Sequence, residues 1–373
     1  MDRPTKDPTV DALTVQVLDF PTDEPEADGT ASWSATTMVL VQARSGTASG
    51  IGWTYGAAGA ASVVHDLLAD CVVGRSAWDV PAANEAMTRA LRNAGRPGVG
   101  GYALSAVDIA LWDLKARLLQ LPLADVLGRA RPDVPVYGSG GFTTYDDARL
   151  EGQLRAWAED RRIPRVKIKI GESWGGCEHR DLARVELARE TVGPDVELYV
   201  DANGGYRVAQ AIRLGHRMAR DLDVRWFEEP CSSDDLPGLA RVRDALDTEV
   251  AAGEYGFTLP YFAAMAPVVD CLQADATRCG GITVWLRAAA VAEAHGLQLS
   301  GHCAPHVHAH AACAIPNLRH LEWFHDHVRI ESALFDGFLD PTGGALRPGH
   351  DGSPGLGLTL RHDVLERHRR SGT

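Results

Sequence analysis

From Val136 to Phe324, short apolar runs alternate with longer stretches whose apolar residues recur at helical spacing. The runs are VYGSGGF (136–142), RVKIKIG (165–171), ELYVDANGG (197–205), VRWFEEP (224–230), EVAAGE (249–254), VVDCLQADA (268–276), LQLSGHC (297–303) and LRHLEWF (318–324). Between them lie pieces such as EHRDLARVELARETVG (178–193) and AQAIRLGHRMARDL (209–222). Eight strands alternating with helices predict an α/β fold, a (β/α)8 TIM-type barrel. A doubly wound open sheet would produce part of this pattern, but eight units without a Gly-rich dinucleotide turn make it the weaker choice.

The chain before the barrel reads differently. ALTVQVLDF (12–20) and TMVLVQARS (37–45) predict strands, separated by the polar, Pro- and Gly-bearing stretch PTDEPEADGT (21–30). From Ala61 to Leu127 the spacing turns helical, clearest in ALSAVDIALWDLKARLLQ (103–120). The expected organisation is therefore an N-terminal α+β capping domain (1–131), the barrel (132–340) and a C-terminal segment (341–373) that returns to the cap.

Composition narrows the class. Of 373 residues, 45% are hydrophobic and 23% charged, which excludes global disorder. The net charge of −13 argues against nucleic acid or an anionic membrane surface as partner, since both need a basic field. The longest run free of Asp, Glu, Lys and Arg, between Glu293 and Arg319, holds five His and two Pro, so no bilayer span is expected. The first residues, MDRPTKDPTVDAL, carry acids and no apolar run. Seven scattered Cys with no CxxC read as reduced thiols. A cytoplasmic location is the expectation.

Candidate chemistry sits at the ends of the runs: Lys167 and Lys169, Asp201, Glu228, Glu254, Asp275, His302 and Glu322. Successive members from Lys169 onward are 20 to 32 residues apart, about one strand-plus-helix unit each. Carboxyl ends of barrel strands converge at one mouth, so the spacing alone brings these residues together. Singly, Asp201, Glu228 and Glu254 would each read as an ordinary solvated acid. As a trio in register they repel one another unless a cation joins them, and hard oxygen ligands suit Mg²⁺.

Only 4 of the 37 basic residues are Lys, and Lys167 and Lys169 are two of them. An isolated VKIKI would read as a strand with one wet face. In a chain that otherwise relies on Arg, two lysines here suggest a need for a removable proton, because a crowded Lys can lower its pKa and act as a base. Asp275 on a neighbouring strand end can accept a hydrogen bond from the His302 imidazole N–H, fixing its tautomer and raising its basicity, which makes an acid/base dyad. His306, His308 and His310 have no Cys or acid at ligand spacing and read as packing or helix-start residues. Glu322 reads either as a protonated carboxyl donating to an oxyanion or as a plain buried acid with a partner. Asn203, in VDANGG, is a candidate substrate contact.

Taken together, VKIKIG, VDANGGY, FEEP, AAGE, QADATRCGG, SGHCAPH and LEWF resemble, in order, the motifs of the enolase superfamily's mandelate racemase subgroup. The resemblance spans nearly the whole chain. It implies that Asp201, Glu228 and Glu254 hold one Mg²⁺ per subunit. It makes Lys169 one base, with Lys167 assisting at the substrate carboxylate, and Glu229 in FEEP lies behind the ligand Glu228. His302, held by Asp275, becomes the second acid/base on the opposite face, and Glu322 supports a developing enediolate. The muconate-lactonising and dipeptide-epimerase branches are similar in fold but place a Lys where this chain has Asp275. A small-molecule carboxylate substrate and a homo-oligomer are the implied partners.

The implied chemistry is abstraction of the proton α to a carboxylate, giving an enediolate. One expectation is dehydration of an acid sugar, aldonate or aldarate, to a 2-keto-3-deoxy acid. The other is a racemase or epimerase of a 2-hydroxy acid that exchanges a proton between Lys169 and His302. The polar cap segment 20–33 favours a polyhydroxy substrate and hence dehydration, and its acids Asp23, Glu24, Glu26 and Asp28 mildly disfavour a diacid, unless Arg residues nearby answer the second carboxylate. A non-catalytic binding barrel would have lost members of the set, and none is lost. Specificity is expected in cap loops near 20–33 and 51–58.

Overall fold

The computed structural model describes residues 7–370, so the first six residues of the expected cap and the last three of the C-terminal segment lie outside it. The cap begins with three antiparallel strands, β1 (Ala12–Ala27), β2 (Ser32–Ser45) and β3 (Ala48–Tyr55). The helix Val99–Leu118 lies across β3 and β2. Gly50 and Gly52 make that approach possible, because a Cβ on either would stand 2.3 Å from a backbone oxygen of this helix. The helix is therefore buried along most of its length, which explains its nearly uniform apolar sequence.

Two cap expectations change here. The polar stretch 21–30 is not a loop: β1 continues through Ala27, with a register shift between Pro21 and Glu26. Proline without an N–H and an irregular pairing are compatible at such a bulge, so the turn-forming residues misled the sequence reading. The turn is confined to the tip, where Asp28 Oδ1 accepts from Thr30 N at 2.6 Å and Ala31 N at 2.7 Å. Likewise Ile51 to Tyr55 belong to β3 and only Gly56 onward leaves the sheet.

The barrel strands are β4 (Val134–Gly140), β5 (Arg165–Lys169), β6 (Glu197–Asp201), β7 (Val224–Glu228), β8 (Glu249–Ala252), β9 (Cys271–Ala274), β10 (Gln298–Gly301) and β11 (Leu318–Phe324). They pair in parallel in that order, and β11 closes onto β4. The eight-stranded barrel expected from the sequence is what forms. Its lower interior is filled by Tyr137, Tyr199, Trp226 and His320, which pack ring against ring. This layer is a floor on which Lys167 and Glu228 rest, over Tyr137 and against Trp226.

The C-terminal stretch first pairs Ala345–Leu346 against Val134–Pro135 and later exchanges backbone hydrogen bonds between Gly355 and residues 121 and 123. It ends beside β1, where Arg370 grips Asp19 with two hydrogen bonds of 2.7 Å. At the other end of β1, the hairpin tip rests on the barrel mouth. A Cβ at Gly29 would fall 2.7 Å from the carbonyl oxygens of Ile170 and Ala202, just beyond β5 and β6. Among the described residues no helix is long and apolar enough to cross a membrane.

Candidate active site

Strand register assembles the site. Lys169 pairs with Asp201 across β5 and β6, and Asp201 with Glu228 across β6 and β7, so three charged side chains share one row. Glu254 follows β8, Asp275 follows β9 and His302 follows β10, while Glu322 lies within β11. All eight predicted residues are buried at the same end of the barrel, together with Asn203.

The three acids present one oxygen each within 4.8 Å of one another. Asp201 Oδ1 accepts from Asn203 N at 2.8 Å and Glu228 Oε2 from Trp226 Nε1 at 2.9 Å. Glu254 Oε2 is buried, makes no hydrogen bond and lies 3.1 Å from His302 Nε2. Three buried carboxylates converging on one place, with one oxygen left without a hydrogen bond, fit a hard divalent cation. Glu229, behind them, is held in a left-handed conformation (φ 41°) and accepts from Gly253 N at 3.2 Å.

In this structure the lysines answer the acids. Lys169 Nζ is 2.5 Å from Asp201 Oδ2, and Lys167 Nζ bonds Glu228 and stands 2.8 Å from Glu322 Oε1. Burial opposes both ammonium charges, yet the carboxylates outweigh it: Glu228 first for Lys167 and Asp201 first for Lys169, so both pKa values rise. The expectation of a lysine lowered by crowding is therefore corrected for the protein alone. It counted the second ammonium but could not count the acids in contact. Burial also pushes Glu228 up to about 8, against the pull of Lys167.

His302 Nδ1 is 2.9 Å from Asp275 Oδ2. Asp275 is itself fixed by Thr277, whose N and Oγ1 each donate to Oδ1 at 2.7 Å. Burial works against the Asp275 charge, but His302 and Arg278 hold it well below the ordinary range. Burial likewise opposes protonation of His302, while Cys303, Glu254 and Glu322 raise its pKa. Glu322 accepts from Ser139 Oγ at 2.6 Å and from Cys303 N at 2.9 Å. Burial opposes its charge, yet Lys167 and His302 keep it well below the ordinary range. It is thus an ionised acceptor, not a protonated donor, and its partners were invisible in the flanking apolar residues.

His306, His308 and His310 are buried in the helix Pro305–Ala312, and of the three His308 comes to 4.0 Å of Asp275. Their ring nitrogens meet Glu331 and the backbone of Leu339, Ala276, Ala304, Ala124 and Leu356. Further residues join the site. Arg278 reaches Asp275 at 3.4 Å and Glu254 at 3.6 Å. Its position three residues after Asp275 was the available signal. Cys303, Asp326 and His327 also line the site, with no comparable signal.

A cavity of about 470 Å³ opens above these groups, between the mouth and the cap. Lys169, Glu254 and His302 reach it from the barrel, and Trp33, Thr36 and Tyr55 from the cap. Lys169 ends the second barrel strand and His302 follows the seventh, so they approach from different sides. The arrangement can place one carbon between a lysine and a histidine, next to a cluster of cation-binding oxygens.

Residues 12–128 match the mandelate racemase / muconate lactonizing enzyme N-terminal domain, and residues 149–364 match the enolase C-terminal domain-like family. The chain belongs to the mandelate racemase / muconate lactonizing enzyme family of the enolase superfamily. L-talarate/galactarate dehydratase of Salmonella typhimurium is 34% identical over 298 residues, 77% of this chain and 73% of that protein. The 3,6-anhydro-α-L-galactonate cycloisomerase of Streptomyces coelicolor is 33% identical over 321 residues, 81% of this chain and 84% of that protein. A solved mandelate racemase/muconate lactonizing enzyme-like protein from Rubrobacter xylanophilus shares 50% identity at a TM-score of 0.94, covering 97% of this chain and all of its own. The Salmonella dehydratase has been solved with Mg and L-lyxarohydroxamate. Over the fuller structural alignment it is 27% identical with a TM-score of 0.88, covering 99% of this chain and 95% of that one.

Proposed function

We propose that this protein is a Mg²⁺-dependent acid-sugar dehydratase. The observation that carries the reading is one polar cavity reached by Lys169 and by an Asp275-backed His302, beside three carboxylates built for a cation. Asp201, Glu228 and Glu254 would hold Mg²⁺, as the all-oxygen donor set and the Mg-bound Salmonella relative support. When bound, that ion supplies positive charge against the substrate carboxylate as it becomes an enediolate. Asp201 would no longer face Lys169 with its full charge, and the amine is then less strongly held in its protonated form.

Lys169 takes the α-proton. His302 gives its proton to the β-hydroxyl, which leaves as water, and the enol collapses to a 2-keto-3-deoxy acid. Asp275 holds the imidazole with Nε2 toward the cavity. Lys167 stands at the carboxylate side, and Glu322 fixes Lys167 from behind. Asn203 is a substrate contact: it lines the cavity, and its Oδ1 is buried without a hydrogen bond.

The cap's contribution to the cavity, including Asp28, Thr36, Thr37 and Tyr55, contains no cation, and Asp326 adds another acid. Toward the cap hydroxyls find donors and acceptors and a second carboxylate meets no cation, which favours aldonates, although Arg278 lines the barrel side of the same cavity and Arg329 pairs with Asp326 at 2.6 Å. A racemase or epimerase of a 2-hydroxy acid is the second reading, favoured by the placement of Lys169 and His302 on different sides of one cavity.

The test is product analysis with a panel of aldonates, aldarates and their lactones in Mg²⁺. Release of a 2-keto-3-deoxy acid is expected. Exchange of the α-proton without ketoacid would sink dehydration in favour of racemisation, and consumption of a lactone alone would point to cycloisomerase chemistry.

A further inference from the structure

The described residues hold a second group of metal-type donors beside the three carboxylates: His302, Cys303 and Glu322. Cys303 Sγ lies 3.3 Å from His302 Nε2 and 3.3 Å from Glu322 Oε2, and Nε2 lies 3.7 Å from that same oxygen. A tetrahedral zinc site, with bonds of about 2.3 Å to sulfur and about 2.0 Å to nitrogen and oxygen, has ligand–ligand edges of about 3.3–3.5 Å. The three observed separations already approximate one face of it. Cys303 holds its place through a left-handed backbone (φ 52°), which turns the thiol back beside the histidine.

The outer groups match as well. His302 Nδ1 faces Asp275, which in turn is fixed by Thr277, so Nε2 is the nitrogen turned to Cys303 and Glu322, with Glu254 Oε2 at 3.1 Å on its other side. A carboxylate behind the histidine is the usual support of a zinc-bound imidazole. His302 and Cys303 both line the cavity, so the fourth position opens toward it.

We propose that His302, Cys303 and Glu322 form a thiophilic cation site, of the zinc class, whose occupancy shuts the reaction by capturing the histidine. Thiolate and imidazole donors favour such ions over Mg²⁺, so the two cations sort by ligand chemistry into neighbouring places. On binding, the thiol loses its proton to the buffer, as does the imidazolium where it is protonated, and no electron is transferred. The bound ion blocks Nε2 and the space the substrate's α-carbon needs.

The test titrates the full-length, Mg²⁺-saturated protein with Co²⁺ as the probe. One equivalent is expected to raise a thiolate-to-cobalt charge-transfer band in the near ultraviolet, which Zn²⁺ then displaces. Cys303→Ser is expected to lose the band and to weaken Zn²⁺, measured by chelator competition, at least tenfold. X-ray absorption of the zinc-loaded wild type, which does not depend on that variant folding, is expected to show one sulfur neighbour. No band in the wild type, a band that survives Cys303→Ser, or a sulfur-free zinc shell overturns the proposal. These arms need no turnover, so they stand apart from the dehydratase reading. Where turnover is measurable, Zn²⁺ inhibition should disappear in Cys303→Ser, and inhibition that persists counts against the site.

Discussion

Asp275 sets what His302 is able to do. Thr277 holds its Oδ1, which leaves Oδ2, braced by Arg278, to accept from Nδ1 and fix the imidazole with Nε2 toward the cavity. Replacing His302 by Asn keeps a polar group of similar reach but removes proton transfer. Turnover should fall about 10²–10⁴-fold, with the melting temperature little changed. Persistence of dehydration in His302→Asn would remove it as the acid. Glu26 offers a pH test remote from the reacting groups. Burial, then the neighbouring Asp326 carboxylate, pushes it from 4.5 up to about 8, while Trp33 Nε1 donates to it at 2.8 Å. The folded protein therefore holds a proton that the unfolded chain releases, so this contribution is full below about pH 4.5 and is lost as pH rises through 8. Glu26→Gln should flatten that decline in thermal melts, and an unchanged slope would show that Glu26 is ionised in the fold.

At the scale of elements, strand register does most of the positioning. Lys169, Asp201 and Glu228 meet because consecutive strands end in step. That much was legible in the sequence, since regular spacing along the chain becomes adjacency around a barrel mouth. The charge state of those residues was not, because it depends on which side chains touch. VKIKI shows two lysines but not that Glu228, Glu322 and Asp201 surround them. The cap was misread for a different reason: Pro21 and Gly29 are turn signals that here serve a bulge and a tip within one long hairpin. Helix packing in the cap gives a direct test. Gly52→Ala would place a Cβ 2.3 Å from Ala106 O and 2.4 Å from Ala110 N, both backbone atoms that cannot turn aside. Overpacking of this kind costs about 1–3 kcal/mol or more, so denaturant melts should show a clear loss. A neutral result would mean the helix has room to move off the sheet.

Across the whole molecule, the cavity exists only where cap and barrel meet, and the C-terminal segment ties the one to the other through Arg370 and Asp19. The buried acids at that junction are a cost that a cation relieves. Mg²⁺ should therefore stabilise the fold, by about 2.7 kcal/mol at one hundred times its Kd. The rise should vanish in Glu228→Gln; an equal rise in that variant would move the cation elsewhere. Proton abstraction from the α-carbon in a metal-loaded site is the step on which every other role depends. Proton NMR in D₂O tests it directly, on Mg²⁺-loaded protein given an aldonate panel. The C2 proton signal of a substrate should disappear as a 2-keto-3-deoxy acid appears carrying solvent deuterium at C3, and EDTA should stop both. C2 proton signals unchanged across the panel, or the same conversion in EDTA, would contradict it.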